Sequence, residues 1–285
     1  MGLIAAYILS APVTLAQADM PKYTPDAKNG KYIFTAGGCA SCHAAPKSKD
    51  KTRLPGGLAL ETPFGTFYVP NISPDKTNGI GGWTNVQFVN AMKYGVSPDG
   101  SHYYPSFPYT SYRLMKNTDV LDIKAYIDTL PAVKSTVPDH DLALPFRIRR
   151  ALGLWKFLFM DYAEFKPDPK LSKTLNRGAY LVNGPGHCAE CHTLRNILGG
   201  RQDSLAMAGG PAPDGDGKIP NITPHKNGIG DWSADDILVF LEDGSLPDGD
   251  YVGGTMVDVQ ENMAQLNGAD RQAIAEYLKS LAPIP

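Results

Sequence analysis

The feature that most constrains this chain is a repeat of its own sequence at a nearly constant offset. AGGCASCHAAP at 36–46 returns as PGHCAECHTLR at 185–195, and VPNISPDKTNGIGGW at 69–83 returns as IPNITPHKNGIGDW at 219–232. VQFVNAMKYG (86–95) answers to ADDILVFLEDG (234–244), Pro98-Asp99-Gly100 to Pro247-Asp248-Gly249, and DVLDIKAYIDTL (119–130) to DRQAIAEYLKSL (270–281). The offset stays between 149 and 151 residues throughout. Five blocks in one order at one offset mark a duplicated domain. With 285 residues, each copy has enough chain to bury its own core.

Each copy reads as a small, mostly helical, loop-rich domain, giving an all-α chain in two tandem domains at 26–135 and 176–285. DAKNGKYIFTAGG and LNRGAYLVNG are short helices leading into the cysteine motifs. Gly30 lies four residues before Phe34, and Gly178 four before Val182, so each pair shares a helix face. The last helix of each copy has apolar residues at helical spacing: Val120, Ile123, Ile127 and Leu130, then Ile274, Tyr277, Leu278 and Leu281. Thr118 is placed to cap the first of these helices and Pro131 to stop it. No run demands a strand.

Residues 136–175 form a long, partly helical connector. Its LPFRIRRALGLWKFLFMDY mixes Arg147, Arg149, Arg150 and Lys156 with large apolar residues. It fits a helix packed across both domains better than a helix lying on a membrane surface. At the N-terminus, an apolar run from Leu3 to Val13 precedes Ala16-Gln17-Ala18, the pattern of a secretory signal peptide at 1–18. The net charge of −2 offers no surface for nucleic acid. The charge is nevertheless divided: residues 30–135 hold 11 Lys/Arg against 7 Asp/Glu, and residues 176–285 hold 7 against 15. Such a split could steer different partners to the two halves.

The four cysteines form two Cys-x-x-Cys pairs, Cys39/Cys42 and Cys188/Cys191, each followed at once by histidine, His43 and His192. Cys-x-x-Cys-His is the attachment signature of c-type haem. Two thiols form thioethers to the porphyrin, and the next residue's imidazole becomes the iron's proximal ligand. A structural zinc site would need four ligands closing one centre, and neither copy has a second pair nearby. A thioredoxin-like pair would need a βαβ context, which is missing. The expectation is two covalently bound haem c groups.

A sixth, thioether ligand would suit electron transfer, whereas an open site would suit ligand or peroxide chemistry. In the second copy Met256, in a Gly-rich turn ahead of the helix, is the candidate, with Met263 read as a packing residue. In the first copy alignment puts Phe107 near Met256, and phenylalanine cannot ligate iron. Met115 is therefore the candidate there, with His102 or an unligated iron as competitors. His140 and His225 read as surface residues. Trp83 and Trp232, at equivalent positions, together with Arg147 and Arg195, are candidates for haem propionate contacts.

CASCH, CAECH, PNISPDKTNGIGGW, PNITPHKNGIGDW, YYPSFPYTSY and NRGAYLVNGPGHCAECHTLRN together resemble the di-haem class I cytochrome c family. They are similar to the cytochrome c subunits of alcohol, gluconate and sugar dehydrogenases. The resemblance implies His/Met ligation and a periplasmic site, with peripheral membrane association also open. It implies electron transfer from an electron-donor dehydrogenase to an electron-acceptor cytochrome or terminal oxidase. Two departures stand out: such subunits usually carry three haem motifs and a C-terminal membrane helix, and commonly a methionine where this chain has Phe107. The rival is a haem enzyme, a peroxidase or sulfur-compound dehydrogenase, with a labile or open distal site at the first haem. A third reading is a subunit that anchors a dehydrogenase.

Overall fold

The computed structural model describes residues 7–212 and 217–285. The chain divides into two compact units, one comprising the chain up to Ile33 and Cys39–Glu164, the other Phe34–Gly38 and Phe165–Pro285. Helix α1 (Ala27–Ala36) lies in the first unit up to Ile33, and that unit also carries the short helix α2 (Cys39–His43), strands β1 (Ala59–Thr62) and β2 (Gly65–Tyr68), α3 (Asn85–Val89) and α4 (Tyr109–Tyr112). It continues with α5 (Asn117–Ile127), β3 (Asp141–Leu142) and α6 (Ala151–Phe159). The second unit carries α7 (Lys173–Asn183), α8 (Ala189–His192), β4 (Gly210–Pro211), β5 (Lys218–Ile219), α9 (Ala234–Asp243), α10 (Met256–Ala264) and α11 (Gly268–Ser280).

Local chemistry fixes several of these helices. Thr84 opens α3 with a capping box, its hydroxyl accepting from the Gln87 N–H while Gln87 accepts from the Thr84 N–H. Ser233 and Asp236 do the same for α9. Asn267 accepts the Asp270 N–H at the start of α11. Helix α5 begins two residues earlier than expected, with Lys116 as its N-cap and Thr118 inside the first turn. The buried Lys93 ammonium donates to Asn117 Oδ1 there and to Glu164 Oε1.

In each unit a glycine lets two helices touch backbone to backbone. A Cβ at Gly30 would fall on the Asp122 carbonyl of α5, and a Cβ at Gly178 on the Ala273 carbonyl of α11. The apolar faces around these crossings are buried. Ile33, Val120, Ile123 and Ile127 fill the first unit, and Tyr180, Leu181, Val182, Ile274 and Leu278 fill the second.

The fold is mostly helical, but not wholly so, which corrects the all-α expectation. β1 and β2 pair antiparallel from Ala59↔Tyr68 to Thr62↔Gly65, and β3 from the connector adds to β2 through Gly65↔Leu142. β4 and β5 pair through Gly210↔Ile219. These strands are two to four residues long, too short for an alternating pattern to register in sequence.

Residues 136–164 of the connector belong to the first compact unit. Helix α6 buries Gly153 and Lys156 and exposes Phe157 and Leu158. Lys156, one of the basic residues of the connector, points inward: its ammonium donates to the Tyr94 and Gly95 carbonyls at 2.6 and 2.7 Å and lies 4.6 Å from the Tyr109 ring. It thereby neutralises the carbonyl end of the helical run through Asn90–Tyr94. His140 is likewise structural, accepting the Tyr68 N–H through Nδ1 and packing its ring on Phe67 and Tyr104.

Candidate functional site

Each Cys-x-x-Cys-His segment forms a short helix, α2 for CASCH and α8 around CAECH. In the first unit His43 Nδ1 lies 2.9 Å from the Pro70 carbonyl, and in the second His192 Nδ1 lies 2.8 Å from the Pro220 carbonyl. A carbonyl only accepts, so Nδ1 carries the proton in both rings and Nε2 keeps its lone pair. A backbone carbonyl behind Nδ1 is the usual arrangement for orienting a metal-ligating imidazole.

Burial pushes the His43 imidazole down to about 4 and lowers His192 as well, the proline carbonyls opposing the shift only weakly. Both rings are half-exposed by surface area yet densely surrounded by protein atoms. Those two facts describe rings set in a cleft wall rather than a sealed core. Burial also pushes the Cys39 and Cys188 thiols up to about 12, with Cys42 and Cys191 adding to the effect. A redox-active dithiol has its thiolate favoured; these are held neutral. No cysteine is in a disulfide.

The proline carbonyl is positioned by the rest of its motif. Asn71 Oδ1 accepts the Ser73 N–H, while its amide donates to the Val133 carbonyl just past α5. Asn221 Oδ1 accepts the Thr223 N–H, and its amide donates to the Ile284 carbonyl just past α11. Gly56 N–H closes on the His43 carbonyl at 2.9 Å, and Gly209 N–H on the His192 carbonyl at 2.8 Å. The Pro-Asn-Ile motif thus ties the histidine support to the segment that follows α5 in the first unit and α11 in the second. The sequence displayed these asparagines in both blocks, but their role shows only once the partners are located.

The remaining candidates are placed as follows. Met115 is 1% exposed in the turn between α4 and α5. Phe107 packs in an aromatic cluster with Tyr103, Tyr109 and Tyr112. His102, the competing ligand, is buried with Nε2 on the Ser10 carbonyl. Met256 does not sit in a turn ahead of a helix: it is the first residue of α10, and Met263 of the same helix is buried. The helical spacing of Gln260 and Met263, the buried residues of α10, was hidden by the glycines that precede them. Trp83 and Trp232 are half-buried, Trp232 packing edge-on against Phe240. The structure gives the two arginines protein partners. Arg195 donates to Glu190 Oε2 and to the Glu190 and Gly199 carbonyls, while Arg201 binds Glu190 Oε1. Arg147 donates to the Leu142 carbonyl and faces Asp141. Among the described residues no cluster of three or more His, Cys, Asp or Glu could hold a bare metal ion.

The donor set fits a covalently attached porphyrin iron: two neutral thiols on one helical turn, and a neutral imidazole held by its far nitrogen. A helical domain presenting that set defines a c-type cytochrome, and the comparisons with known proteins agree. The family profile described as "Cytochrome c" matches residues 27–131. The "Diheme cytochrome c-type" protein of Cereibacter sphaeroides is 52% identical over 263 residues, covering 92% of this chain and 88% of that one. The "Alcohol dehydrogenase (quinone), cytochrome c subunit" of Komagataeibacter europaeus is 37% identical over 297 residues, 99% of this chain and 61% of its own. The "Fructose dehydrogenase cytochrome subunit" of Gluconobacter japonicus is 37% identical over 264 residues, 91% of this chain and 53% of its own. The chain belongs to the cytochrome c family, an electron-transfer family with covalently bound haem c.

Proposed function

We propose that this chain is a periplasmic di-haem electron carrier that takes electrons from a dehydrogenase and passes them to a downstream cytochrome or oxidase. One haem is held by Cys39, Cys42 and His43 in a domain spanning 26–135, the other by Cys188, Cys191 and His192 in a domain spanning 176–285. The observation that carries the proposal is the matched support of the two histidines. His43 on Pro70 and His192 on Pro220 are set by the same bonds, 149 to 150 residues apart. The two asparagine anchors add to the case for tandem duplication.

Met115 and Met256 are the proposed distal ligands. Met115 supports this reading by being buried in the turn between α4 and α5. The haem, when bound, supplies the one-electron couple. The protein's part is to hold each imidazole neutral and fixed and to exclude water around the iron. A dehydrogenase donor is supported by relatives named as alcohol and fructose dehydrogenase cytochrome subunits. The chain spans about half to three-fifths of those two, so their partners come to it only as part of the proposal. The test is the mass and spectrum of the holoprotein. Two haems per chain, both low-spin and refusing carbon monoxide, support the carrier. One haem per chain, or one high-spin haem that binds carbon monoxide, overturns it.

A further inference from the structure

The first unit carries an apolar surface that electron transfer does not require. Helix α6 buries the side of Gly153, Lys156 and Met160. Its other flank, Arg150, Leu154, Phe157 and Leu158, follows the i, i+4, i+7, i+8 spacing of one helical stripe. Phe157 and Leu158 are more than 60% exposed. The loop entering α6 continues the surface with exposed Leu144, Phe146 and Ile148.

The N-terminal segment lies against this stripe as a strap. The Ser10 backbone fills the space over Gly153, where a Cβ would fall on the Ser10 carbonyl. His102 Nε2 lies 3.0 Å from that same carbonyl. Arg150 donates to Ser10 Oγ and to the Tyr7 carbonyl, and its guanidinium covers the Tyr7 ring at 4.5 Å. Further along, Asn90 pairs both ways with the Leu15 backbone. The helical turn at 7–9 then leaves Tyr7, Ile8 and Leu9 exposed beside α6.

Charge decides what such a surface meets. Residues 142–160 hold four basic residues and no acidic one, and residues 1–18 hold no charged side chain. With Lys156 turned inward, Arg147, Arg149 and Arg150 lie among the exposed Phe, Leu and Ile, with the exposed Asp141 facing Arg147 at the edge of the surface. The sequence ahead of the strap, Met1-Gly2-Leu3-Ile4-Ala5-Ala6, is also uncharged. Large apolar side chains with three arginines against the single facing carboxylate of Asp141 suit the interface of an anionic bilayer, where the guanidiniums reach headgroup phosphates and the rings enter the acyl boundary. A membrane-crossing segment is not needed for this, and no helix among the described residues is long and apolar enough to cross.

We propose that residues 7–20 remain on the mature protein as a strap, and that the strap, the 144–148 loop and the Phe157–Leu158 flank of α6 lay the first unit onto an anionic lipid surface. The test is sedimentation of the full-length holoprotein with vesicles of phosphatidylcholine mixed with phosphatidylglycerol, and with vesicles of phosphatidylcholine alone. Binding is expected to the anionic vesicles and to weaken as salt is raised. The double variant Phe157→Ser/Leu158→Ser is expected to lose at least ~10-fold in partitioning, and Arg147→Gln roughly five-fold. Both variants change exposed side chains, so an unaltered haem spectrum verifies their folding. Absence of vesicle binding, unchanged partitioning of the double variant, or a mature mass showing cleavage after Ala18 each overturns the proposal.

Discussion

Gly178→Ala tests the claim that the second unit is held together at one backbone crossing. A methyl group there would fall inside the Ala273 carbonyl oxygen and 2.7 Å from both the Ala273 carbonyl carbon and Tyr277 Cβ. Two of those three atoms are backbone of α11, so no side-chain rotation can make room. Helices α7 and α11 must part by about 1 Å, and a gap of that size forfeits a quarter to a half of the dispersion energy between facing atoms. Tyr180, Leu181, Val182, Ile274 and Leu278 all lose contact together. Overpacking of this kind costs about 1–3 kcal/mol, and the rigid carbonyl puts the site at the upper end before the loss of contacts is added. Alanine's better helix propensity returns ~1 kcal/mol. The expected net loss is about 2–3 kcal/mol. Gly268→Ala is the control, because Gly268 starts α11 with nothing within 4 Å of its Cβ position; it should be neutral or stabilising by up to ~1 kcal/mol. Guanidinium unfolding of the holoprotein, followed by far-UV circular dichroism and haem absorbance, resolves both. Equal midpoints for the two variants, or a Gly178→Ala loss below ~0.5 kcal/mol, would refute the crossing argument.

Asn221→Ala strands the Thr223 N–H and leaves the Ile284 carbonyl only the Thr223 hydroxyl at 3.2 Å; it should cost about 1–3 kcal/mol, seen as a lower unfolding midpoint together with a perturbed Soret band from the loosened Pro220 support. Met115→Ala should turn one of two haems high-spin and carbon-monoxide-reactive and lower its midpoint potential, since a thioether ligand raises it; an unchanged spectrum would remove Met115 from the ligand set. Burial pushes the Lys156 ammonium down to about 7 from its ordinary 10.5. The unfolded chain therefore binds more protons than the folded one between those values, and stability from this group rises with pH across that window. The carbonyls and the Tyr109 ring offset part of the burial cost, leaving a gain of about 2–4 kcal/mol over the window. In Lys156→Met that rise should vanish when denaturation midpoints are compared from neutral to alkaline pH; a parallel pH profile in the two proteins would show the ammonium is not strained.

What the sequence could and could not display follows from where each interaction's information lies. The cysteines, the histidines and the Pro-Asn-Ile motif repeat at one offset, and Gly30 and Gly178 stand on the predicted helix faces, so the elements around each candidate centre were legible. Short-range patterns failed where a partner distant in the chain decides. β2 gains a neighbour only because Asp141–Leu142, over 70 residues away, lies down beside it. Lys156 reads as one more surface cation until the Tyr94 and Gly95 carbonyls are placed under it. Arg195, in sequence a candidate for a propionate contact, has Glu190 within 2.6 Å. The Glu190 case has a consequence for the centre itself. Glu190 stands between Cys188 and Cys191 in the chain, its side chain is 8% exposed, and its carboxylate is bound by Arg195 and Arg201 together. A buried carboxylate flanked by two guanidiniums is tolerated because both charges are answered. The chain between the arginines closes on itself through the Arg195↔Arg201 bridge and is tied to α8 through Glu190 by charge. Glu190→Gln would leave two half-buried cations sharing one neutral amide. It should loosen α8 and with it the Cys191 attachment, lowering the yield of chains carrying two haems by mass while leaving His43 and its support untouched. A full complement of haem in that variant would show that the arginine clamp serves the loop alone.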